Sequence, residues 1–290
     1  MSEAVAAAAA EALGAAVVSA EPVPGGDINR ALRLRLDDGR TLFVKHRTGA
    51  PPGMYTAEAD GLAWLADSGG GLRLPAVAAV GEREGARFLA LEWIERGRPG
   101  PDHDERLGRG LAALHRAGAP AFGLDRDNWI GSLPQDNRAA SSWPAFYGER
   151  RLAPLTRKAV EQRLLTLEAG ARVERVIGRL EDLCGPPEPP ARLHGDLWGG
   201  NALADAGGRP VLVDPAVYGG HREVDLAMMR LFGGFSDRCL DAYREFSPLA
   251  SGHQDRVALY QLYPLLVHVL LFGGAYAGRL ERALGRYVPG

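Results

Sequence analysis

The sequence predicts an α+β fold with two lobes, a small antiparallel-sheet lobe followed by a larger, mostly helical lobe. Leucines alternate with arginines over residues 32–36, and an apolar run resumes at residues 42–44 beyond an Asp38-Gly39 turn. Alternation around a tight turn predicts a β-hairpin. After the glycine- and proline-rich run at residues 97–101, apolar residues follow helical spacing instead. The predicted lobes are residues 1–94 and residues 95–290.

The other elements of the small lobe follow from similar signals. The alanine run at residues 5–10 lies between two glutamates and has no basic segment before it, so it predicts a helix rather than a signal peptide. Helical spacing over residues 54–67 ends at three consecutive glycines. Residues 76–80 and 87–93 predict two further strands joined by a short turn.

The large lobe is predicted to be built mainly of helices. We expect helices at residues 102–117, at residues 143–183 with a break at Pro154, and three more after Arg222. Two short strands, at residues 202–204 and 211–213, flank a Gly-Gly turn. The most apolar stretch, residues 259–278, contains Gln261, Pro264 and His268, so it predicts a buried, kinked helix rather than a membrane span.

Composition narrows the possible partners and compartments. The formal net charge is −2, which does not indicate a broad electrostatic surface for nucleic acid. The two cysteines, Cys184 and Cys239, lie far apart and lack the spacing of a zinc site or a disulfide framework. We therefore expect a cytoplasmic protein that binds neither nucleic acid nor membrane, and a monomer, although the sequence does not determine the oligomeric state.

The most informative motif is His194-Gly195-Asp196, followed by Asn201 and then by Asp214 at the end of a short apolar strand. Phosphoryl transfer requires a carboxylate that orients and deprotonates the attacking hydroxyl, together with oxygen ligands for Mg²⁺. An asparagine five residues after the base and a later carboxylate at a strand end fit that requirement. The pattern predicts Asp196 as the base and Asn201 and Asp214 as Mg²⁺ ligands. The alternative is a polar turn between two strands.

A second pair of charged residues supports the same chemistry. Lys45, one of only two lysines in the chain, ends the apolar run at residues 42–44, and Glu58 lies on the next predicted helix. In kinases a strand lysine binds the α- and β-phosphates of ATP and a helix glutamate holds that lysine in place. We favour this pairing over a solvated charge pair.

Two further segments are candidates for nucleotide binding. Gly25 and Gly26 lie between two predicted strands, where glycine lets the backbone approach phosphate oxygens. An ordinary tight turn explains them equally well. Glu92 and Ile94 lie where the chain should cross between the lobes, and their backbone groups could hydrogen-bond adenine.

These residues resemble a known family. The motif of residues 194–201, with Lys45 and Glu58, resembles the aminoglycoside phosphotransferase and choline kinase group of protein-kinase-like enzymes. Within that group, residues 194–201 and 214–228 look like fructosamine kinases, also called ketosamine-3-kinases. Shorter matches extend the resemblance over nearly the whole chain. They comprise residues 128–131, 134–137 and 150–152, Trp143 and Phe146.

The resemblance implies a bilobal protein-kinase-like fold with ATP and Mg²⁺ bound between the lobes. It also implies phosphorylation of the O3 hydroxyl of a ketosamine, the adduct that forms when an aldose glycates an amine. The 3-phosphate is then lost by elimination and the amine is regenerated, which amounts to deglycation. The preferred sugar, and whether the substrate is free or protein-bound, stay open. In place of a cysteine found in the glycine-rich loop of some members, this chain has Gly25-Gly26-Asp27, so we predict no redox switch.

Five residues are candidates for contact with the ketosamine. Trp198 lies two residues after the base and could present an aromatic face to the substrate, or else wedge the catalytic loop against the core. The amides in the loop around residues 125–137 suit sugar hydroxyls, although such residues also favour turns. His221 follows the predicted metal-binding strand. The candidates are Trp198, Asn128, Gln135, Asn137 and His221.

Two other functions remain open from the sequence. One is a kinase for a different alcohol, such as an aminoglycoside, choline or methylthioribose; the acidic residues after Asp225 are interspersed with arginines and give that reading little support. The other is a nucleotide-binding pseudokinase that regulates a partner without turnover. The presence of Lys45, Asp196, Asn201 and Asp214 together argues against it, since a protein without turnover has no chemical need for all four.

Overall fold

The structure is a computed structural model that describes residues 2–24, 29–83 and 85–288. Its N-terminal part is a five-stranded antiparallel sheet with the strand order β1-β2-β3-β5-β4, which confirms the predicted hairpin and the mixed α+β class. The glycine pair Gly25 and Gly26 lies outside the described residues. The strands are β1 (Val17–Val23), β2 (Arg30–Leu36), β3 (Thr41–Thr48), β4 (Val77–Arg83) and β5 (Ala86–Glu92).

The alternating pattern of β2 and β3 explains how this sheet is buried on both faces. Leu32 and Leu34 pair with Val44 and Leu42 across the hairpin, and all four side chains are buried. They pack with the small side chains of helix α1 (Ser2–Leu13). On the other face, α2 (Met54–Ala66) packs against β5. Because side chains alternate along a strand, Lys45 points to the α2 face.

The rest of the chain is mostly helical. Its largest hydrophobic core gathers side chains from residues 130–288, including the fully buried Phe146 and Tyr218. Among the described residues no helix is both long and apolar enough to cross a membrane. The helices are α3 (His103–Arg116), α4 (Trp143–Phe146), α5 (Ala153–Glu161), α6 (Leu167–Ile177), α7 (Leu180–Leu183), α8 (Glu223–Phe232), α9 (Asp237–Phe246), α10 (His253–Tyr260), α11 (Leu262–Phe272) and α12 (Ala277–Leu284).

Three short hairpins or ribbons carry the polar segments singled out in the sequence. Backbone hydrogen bonds join the hairpin at residues 202–212 to the segment that leaves the sheet. The Gly97 N–H donates to the Ala204 carbonyl at 2.9 Å, and the Gly100 N–H donates to the Gly208 carbonyl at 3.0 Å. The lobe boundary at residues 94 and 95 stays a prediction. The paired strands are β6 (Asn128–Ile130) with β7 (Leu133–Gln135), β8 (Ala191–Leu193) with β11 (Tyr218–Gly220), and β9 (Ala202–Ala204) with β10 (Pro210–Leu212).

Three predictions about the helices were wrong. Five described helices, not three, follow Arg222. Pro154 does not break its helix: α4, the π-helical turns at Tyr147–Leu152 and α5 follow one another without a gap, and Pro154 lies just after the π-helical turns. The stretch at residues 259–278 is not one kinked helix: α10 gives way to α11 at Gln261, and Gly273, with φ of 85°, ends α11.

Candidate active site

A cleft of about 1030 Å³ lies between the sheet and the helical part of the chain. This volume is at the upper end of the range for small-molecule sites, so it can hold a nucleotide together with a second molecule. Lys45 and Glu58 line it from the sheet side, and Asp196, Asn201 and Asp214 line it from the helical side. The structure therefore brings together five residues that are far apart in the sequence.

Lys45 lies at the centre of the charged end of the cleft. Its Nζ is 2.7 Å from Glu58 Oε1 and 2.7 Å from Asp214 Oδ1. Burial alone would lower the pKa of Lys45, but the charges of Asp214 and Glu58 outweigh burial and raise it. Burial and the nearby Asp214 raise the pKa of Glu58. The lysine is thus held as a fixed cation at the point where both carboxylates meet.

Asp214 owes its position to an unusual backbone conformation. It follows β10 closely and has a φ of 57°, one of two positive values among the described non-glycine residues. This left-handed conformation is uncommon for residues with a side chain and is concentrated at functional sites. The side chain is 43% exposed, so its carboxylate faces the cleft while Oδ1 stays paired with Lys45.

The loop that carries Asp196 is anchored from below by a fully buried carboxylate. The backbone N–H groups of His194 and Gly195 donate to Asp225 Oδ2 and Oδ1 at 2.8 and 2.9 Å. His115 contributes a third contact to Asp225, at 3.1 Å from Nε2. Burial alone would raise the pKa of Asp225, but the hydrogen bonds from His115 and the loop outweigh it and lower that pKa. Asp225 is therefore an ionised anchor for the loop that carries Asp196.

Glycine is required at residue 195. Its φ is 83°, and a Cβ there would overlap the carbonyl oxygen of Ala216. The Ala216 N–H in turn donates to the His194 carbonyl at 2.9 Å. This close backbone approach holds the loop of Asp196 against the segment after Asp214.

The Asp196 carboxyl has the properties of a general base. Burial, and then the negative charge of Asp214, raise the pKa of Asp196 to about 7. The Asn201 amide Nδ2 donates to Asp196 Oδ2 at 3.2 Å and to the Asp196 carbonyl at 2.9 Å. A carboxyl with a pKa near neutrality can accept a proton from a hydroxyl and release it again.

The same hydrogen bonds make Asn201 and Asp214 suitable for a hard cation. Because Asp196 uses the amide nitrogen of Asn201, the amide oxygen is the atom left to act as a ligand. Together with the cleft-facing carboxylate of Asp214 it forms an all-oxygen donor pair. Mg²⁺ favours such oxygen donors.

The segment predicted to bind adenine also lines the cleft, at residues 91–96. The Glu92 N–H donates to the Ala76 carbonyl at 2.8 Å, so Glu92 can offer only its carbonyl to a base. Its side chain pairs with Arg73, whose other guanidinium nitrogen donates to Asp205 at 2.6 Å. Ile94 lies in the cleft wall, as its predicted role requires.

The amides predicted to contact substrate instead bind one another. Asn128 Oδ1 accepts from Gln135 Nε2 at 2.8 Å and from Asn137 Nδ2 at 2.9 Å, while Asn128 Nδ2 donates to the Val217 carbonyl. The Tyr263 hydroxyl donates to Gln135 Oε1 at 2.5 Å. Asn128, Gln135 and Asn137 are buried. Only Asn128 reaches the cleft wall, and the structure favours the structural alternative for all three.

This amide network is completed by a buried arginine. Arg151 is fully buried and donates to Asn137 Oδ1 at 2.5 Å and to the Asp136 carbonyl at 2.7 Å. Its guanidinium lies 4.0 Å from the centroid of the Tyr218 ring. Carbonyl oxygens and aromatic faces therefore stabilise this cation. Arg151 therefore holds the segment of residues 150–151 against the segment of residues 134–137.

The structure does not bring His221 to the cleft either. Its side chain is buried and stacks on Tyr260 with ring centroids 5.2 Å apart. Its Nδ1 accepts from the Glu223 N–H at 3.3 Å, and burial lowers the pKa of His221 to about 4. A neutral histidine in an aromatic core replaces the predicted substrate contact.

Trp198 is the candidate substrate residue that does face the cleft. It is 41% exposed, which is high for a tryptophan next to a buried loop. A Cβ at Gly200 would overlap its indole, so the ring lies directly over Gly200 and residue 200 must stay small. The exposed face of the indole is then available to a second molecule.

The sequence interpretation missed one group of cleft residues. Phe232, His268, Phe272 and Tyr276 line the end of the cleft that also contains Trp198. His268, which belongs to the stretch predicted to form a buried helix, lies in this wall. The group comes from the end of α8, the end of α11 and the turn before α12. Spacing along the chain contains no signal for a cluster assembled from three separate elements.

Known proteins match the chain over nearly its full length. The family model described as fructosamine kinase matches residues 1–289. A protein of Thermus thermophilus named "Probable ketoamine kinase" is 43% identical over 263 residues, covering 91% of this chain and 92% of that protein. The chloroplastic protein-ribulosamine 3-kinase of Arabidopsis thaliana is 35% identical over 272 residues, covering 92% of this chain and 81% of that protein.

Solved structures agree with the predicted protein-kinase-like fold. A crystal structure from Thermobifida fusca, named provisionally as a fructosamine-3-kinase, superposes with a TM-score of 0.89 at 45% identity and covers 97% of both chains. A macrolide 2'-phosphotransferase type I superposes with a TM-score of 0.61 at 16% identity, covering 99% of this chain and 96% of that one. At that identity the second match shows the fold alone.

Proposed function

The chain belongs to the fructosamine kinase family, and from this premise we propose that it transfers the γ-phosphoryl group of ATP to the O3 hydroxyl of a ketosamine. Relatives named as ketoamine and ribulosamine 3-kinases support this reaction. The observation that carries the proposal is the meeting of Lys45, Glu58, Asp196 and Asp214 in one cleft. Elimination then breaks the C3–O bond and expels the phosphate, and water cleaves the resulting C1–N linkage, which frees the amine and amounts to deglycation.

The residues of the charged end divide the work of phosphoryl transfer. Lys45 binds the α- and β-phosphates, and Glu58 keeps its ammonium in place through the 2.7 Å contact. Asp196 accepts a hydrogen bond from the substrate O3 hydroxyl and takes its proton as the new P–O bond forms. A pKa of about 7 leaves a large fraction of Asp196 ionised at neutral pH. Positioning of the two reactants supplies much of the remaining rate enhancement.

Asn201 and Asp214 are the residues that would hold Mg²⁺. A cation held there would supply positive charge against the phosphates. The amide oxygen of Asn201 and the carboxylate of Asp214 match its preference for oxygen ligands. In a complex with ATP, Lys45 would bind phosphate oxygens in place of Asp214 while it keeps its contact with Glu58.

The nucleotide is proposed to lie with its adenine against residues 91–96, where the Glu92 carbonyl and the Ile94 backbone would bind the base. Gly25 and Gly26 would lie near the phosphates, as the sequence predicts. Trp198 would contact the ketosamine through its exposed ring face. We also propose a cytoplasmic monomer, consistent with two free, buried cysteines.

The first test is ADP release with Mg²⁺ and ATP across a panel of acceptors. Fructosyl, ribulosyl and erythrulosyl amines form the test set, with choline and an aminoglycoside as controls. Turnover confined to ketosamines, with phosphate on O3 by NMR, supports the proposal and ranks the sugars. Turnover with only a control would leave the kinase site but overturn the substrate. Loss of turnover on chelation of divalent cations, restored by added Mg²⁺, would support the metal assignment.

A further inference from the structure

One end of the cleft is built from aromatic rings and plays no part in the phosphoryl-transfer chemistry described above. We call Phe232, His268, Phe272 and Tyr276 the aromatic cluster. The His268 ring lies 4.5 Å from Phe232, 5.4 Å from Phe272 and 5.0 Å from Tyr276, measured between centroids. Phe272 is 44% exposed. Large apolar side chains that remain open to solvent inside a cleft indicate a binding surface.

The aromatic cluster adjoins the catalytic loop. Both lie in the same cavity as Asp196, and Trp198 lines the cavity with them. Two residues beyond Phe232, Gly234 packs so tightly on Gly199 that a Cβ on Gly199 would be 3.0 Å from Gly234 Cα. Gly199 is the neighbour of Trp198, so this packing places the segment after Phe232 against the loop that carries Asp196.

The electrostatic character of this end differs from that of the charged end. The described residues that line this end include no acidic residue among the following: Phe232, Val267, His268, Leu271, Phe272 and Tyr276. A cation lies beside it, since the guanidinium carbon of Arg279 is 5.5 Å from the Phe232 centroid. Burial lowers the pKa of His268, whose Nδ1 donates to the Pro264 carbonyl at 2.7 Å. The surface is therefore apolar and bordered by positive charge.

We propose that the aromatic cluster binds the substituent on the ketosamine nitrogen, and that it selects apolar alkyl or aryl groups over cationic ones. This inference rests on the proposed function, because the nitrogen of a ketosamine lies only a few bonds from O3. With O3 at Asp196, the group on nitrogen must leave the sugar toward one wall of the cavity. The aromatic cluster is a wall with exposed apolar area beside the loop of Asp196, and Arg279 disfavours a second positive charge there.

The test is a series of ketosamines that share one sugar and differ only at nitrogen. The N-methyl, N-butyl, N-hexyl and N-benzyl compounds increase the apolar area, and an N-(6-aminohexyl) compound matches hexyl in length but ends in a cation. We expect kcat/KM to rise roughly two- to fourfold for each methylene that becomes buried. We expect the aminohexyl compound to lose most of the gain that hexyl shows.

The matched variants are Phe272→Ala and Phe246→Ala. Both phenylalanines are 44% exposed, but Phe246 ends α9, away from the cleft. Phe272→Ala should lower the hexyl-to-methyl ratio of kcat/KM by roughly fivefold or more, and Phe272→Leu should restore part of it. Phe246→Ala should leave the ratio at the wild-type value. A ratio of two kcat/KM values does not depend on the folded fraction of a preparation, so impaired folding cannot imitate the result.

The outcomes separate this inference from the proposed function. Turnover of every ketosamine at the same kcat/KM, or an equal ratio in wild type and Phe272→Ala, would overturn the aromatic subsite and leave the kinase activity intact. Preference for the aminohexyl compound over hexyl would overturn the selectivity for apolar groups. Absence of turnover with all ketosamines, including N-methyl, would instead remove the proposed function.

Discussion

Two polar regions of the molecule, the charged end of the cleft and the amide network, differ in what remains free on each side chain. In the first, Asp214 is 43% exposed beside Lys45, and the Asn201 amide nitrogen is used while its oxygen is available. In the second, Asn137 is fully buried, and its amide binds Arg126, Asn128 and Arg151. Polar groups that protein partners satisfy completely build structure, whereas those with a free donor or acceptor facing a cavity can act on a ligand.

The difference also appears in the energetic cost of each region. The charged end places three carboxyl groups around one lysine, and burial raises the pKa of Asp196 and Glu58. Holding such groups ionised opposes folding. The amide network is neutral apart from Arg151, and the side-chain amides of Asn128, Gln135 and Asn137 are hydrogen-bonded to protein partners, so it stabilises the fold. Substitutions should therefore affect activity in one region and stability in the other.

The largest expected effect is loss of turnover in Asp196→Asn. Without a carboxylate to take the hydroxyl proton, kcat should fall about 10²- to 10⁴-fold, while the affinity for ATP changes little. Steady-state kinetics and ATP calorimetry measure the two quantities. Asp237→Asn, at an exposed position in the first turn of α9, is the control and should keep its activity. Wild-type turnover in Asp196→Asn would show that another group is the base.

The second effect tests the role of Lys45. Lys45→Met removes the cation between Glu58 and Asp214 and should lower kcat/KM for ATP about 100-fold or more. Lys158→Met is a natural control, because Lys158 on α5 is the only other lysine in the chain. If both variants lost the same activity, a specific phosphate contact at Lys45 would be contradicted.

The third effect concerns stability and lies in the amide network. Asn137→Ala removes a partner of Arg151 and of Asn128, so it should lower the free energy of unfolding by about 2 kcal/mol. KM for ATP and for a ketosamine should stay near the wild-type values. Denaturant titration and kinetics measure both, with Gln254→Ala, an exposed amide on α10, as the control. A tenfold rise in the ketosamine KM at unchanged stability would restore Asn137 as a substrate contact.

The smallest effect is a pH-dependent gain of stability in Asp196→Asn. Because the pKa of Asp196 rises from 3.8 to about 7 on folding, the folded protein binds more protons than the unfolded chain between these values. The free energy of unfolding of the wild type should therefore fall as the pH rises from about 4 to 7. Asp196→Asn has no carboxyl to ionise at this position, so its free energy of unfolding should not fall in this way. At pH 8 the variant should be more stable than the wild type by about 1–2 kcal/mol.

Urea titrations of both proteins at pH 4.5 and pH 8, without ATP or Mg²⁺, measure this difference. It should be small at pH 4.5, where the Asp196 carboxyl is largely protonated in the folded protein, and larger at pH 8. A difference that is the same at both pH values would show that the Asp196 carboxyl is not destabilised by burial.

Local pattern was sufficient to predict the sheet and to single out charged residues that meet in the cleft. The alternation at residues 32–36 predicted the hairpin because period-two burial is a property of the strand itself. The spacing of Asp196, Asn201 and Asp214 was informative because a short loop and hairpin fix their separation. The helices after Arg222 were undercounted, since glycine and loop signals such as Gly233-Gly234 and Gly273 do not by themselves show where an apolar run is divided.

Local sequence pattern did not predict the contacts of the amides or of the aromatic residues. Asn128, Gln135 and Asn137 have the composition of a ligand loop, and only their burial beside Arg151 shows that they bind each other. In the same way, Phe232 and Tyr276 are 44 positions apart in the sequence (276 − 232), yet both rings contact His268. The packing of α8, α11 and α12 decides these contacts.

The sequence by itself determined the α+β class, the hairpin and the residue types needed for phosphoryl transfer, because these depend on spacing within short segments. Only the tertiary structure decided which polar groups keep a free atom facing the cleft and which rings form its far wall. Those properties depend on burial and on contacts between distant elements, which a linear pattern does not encode.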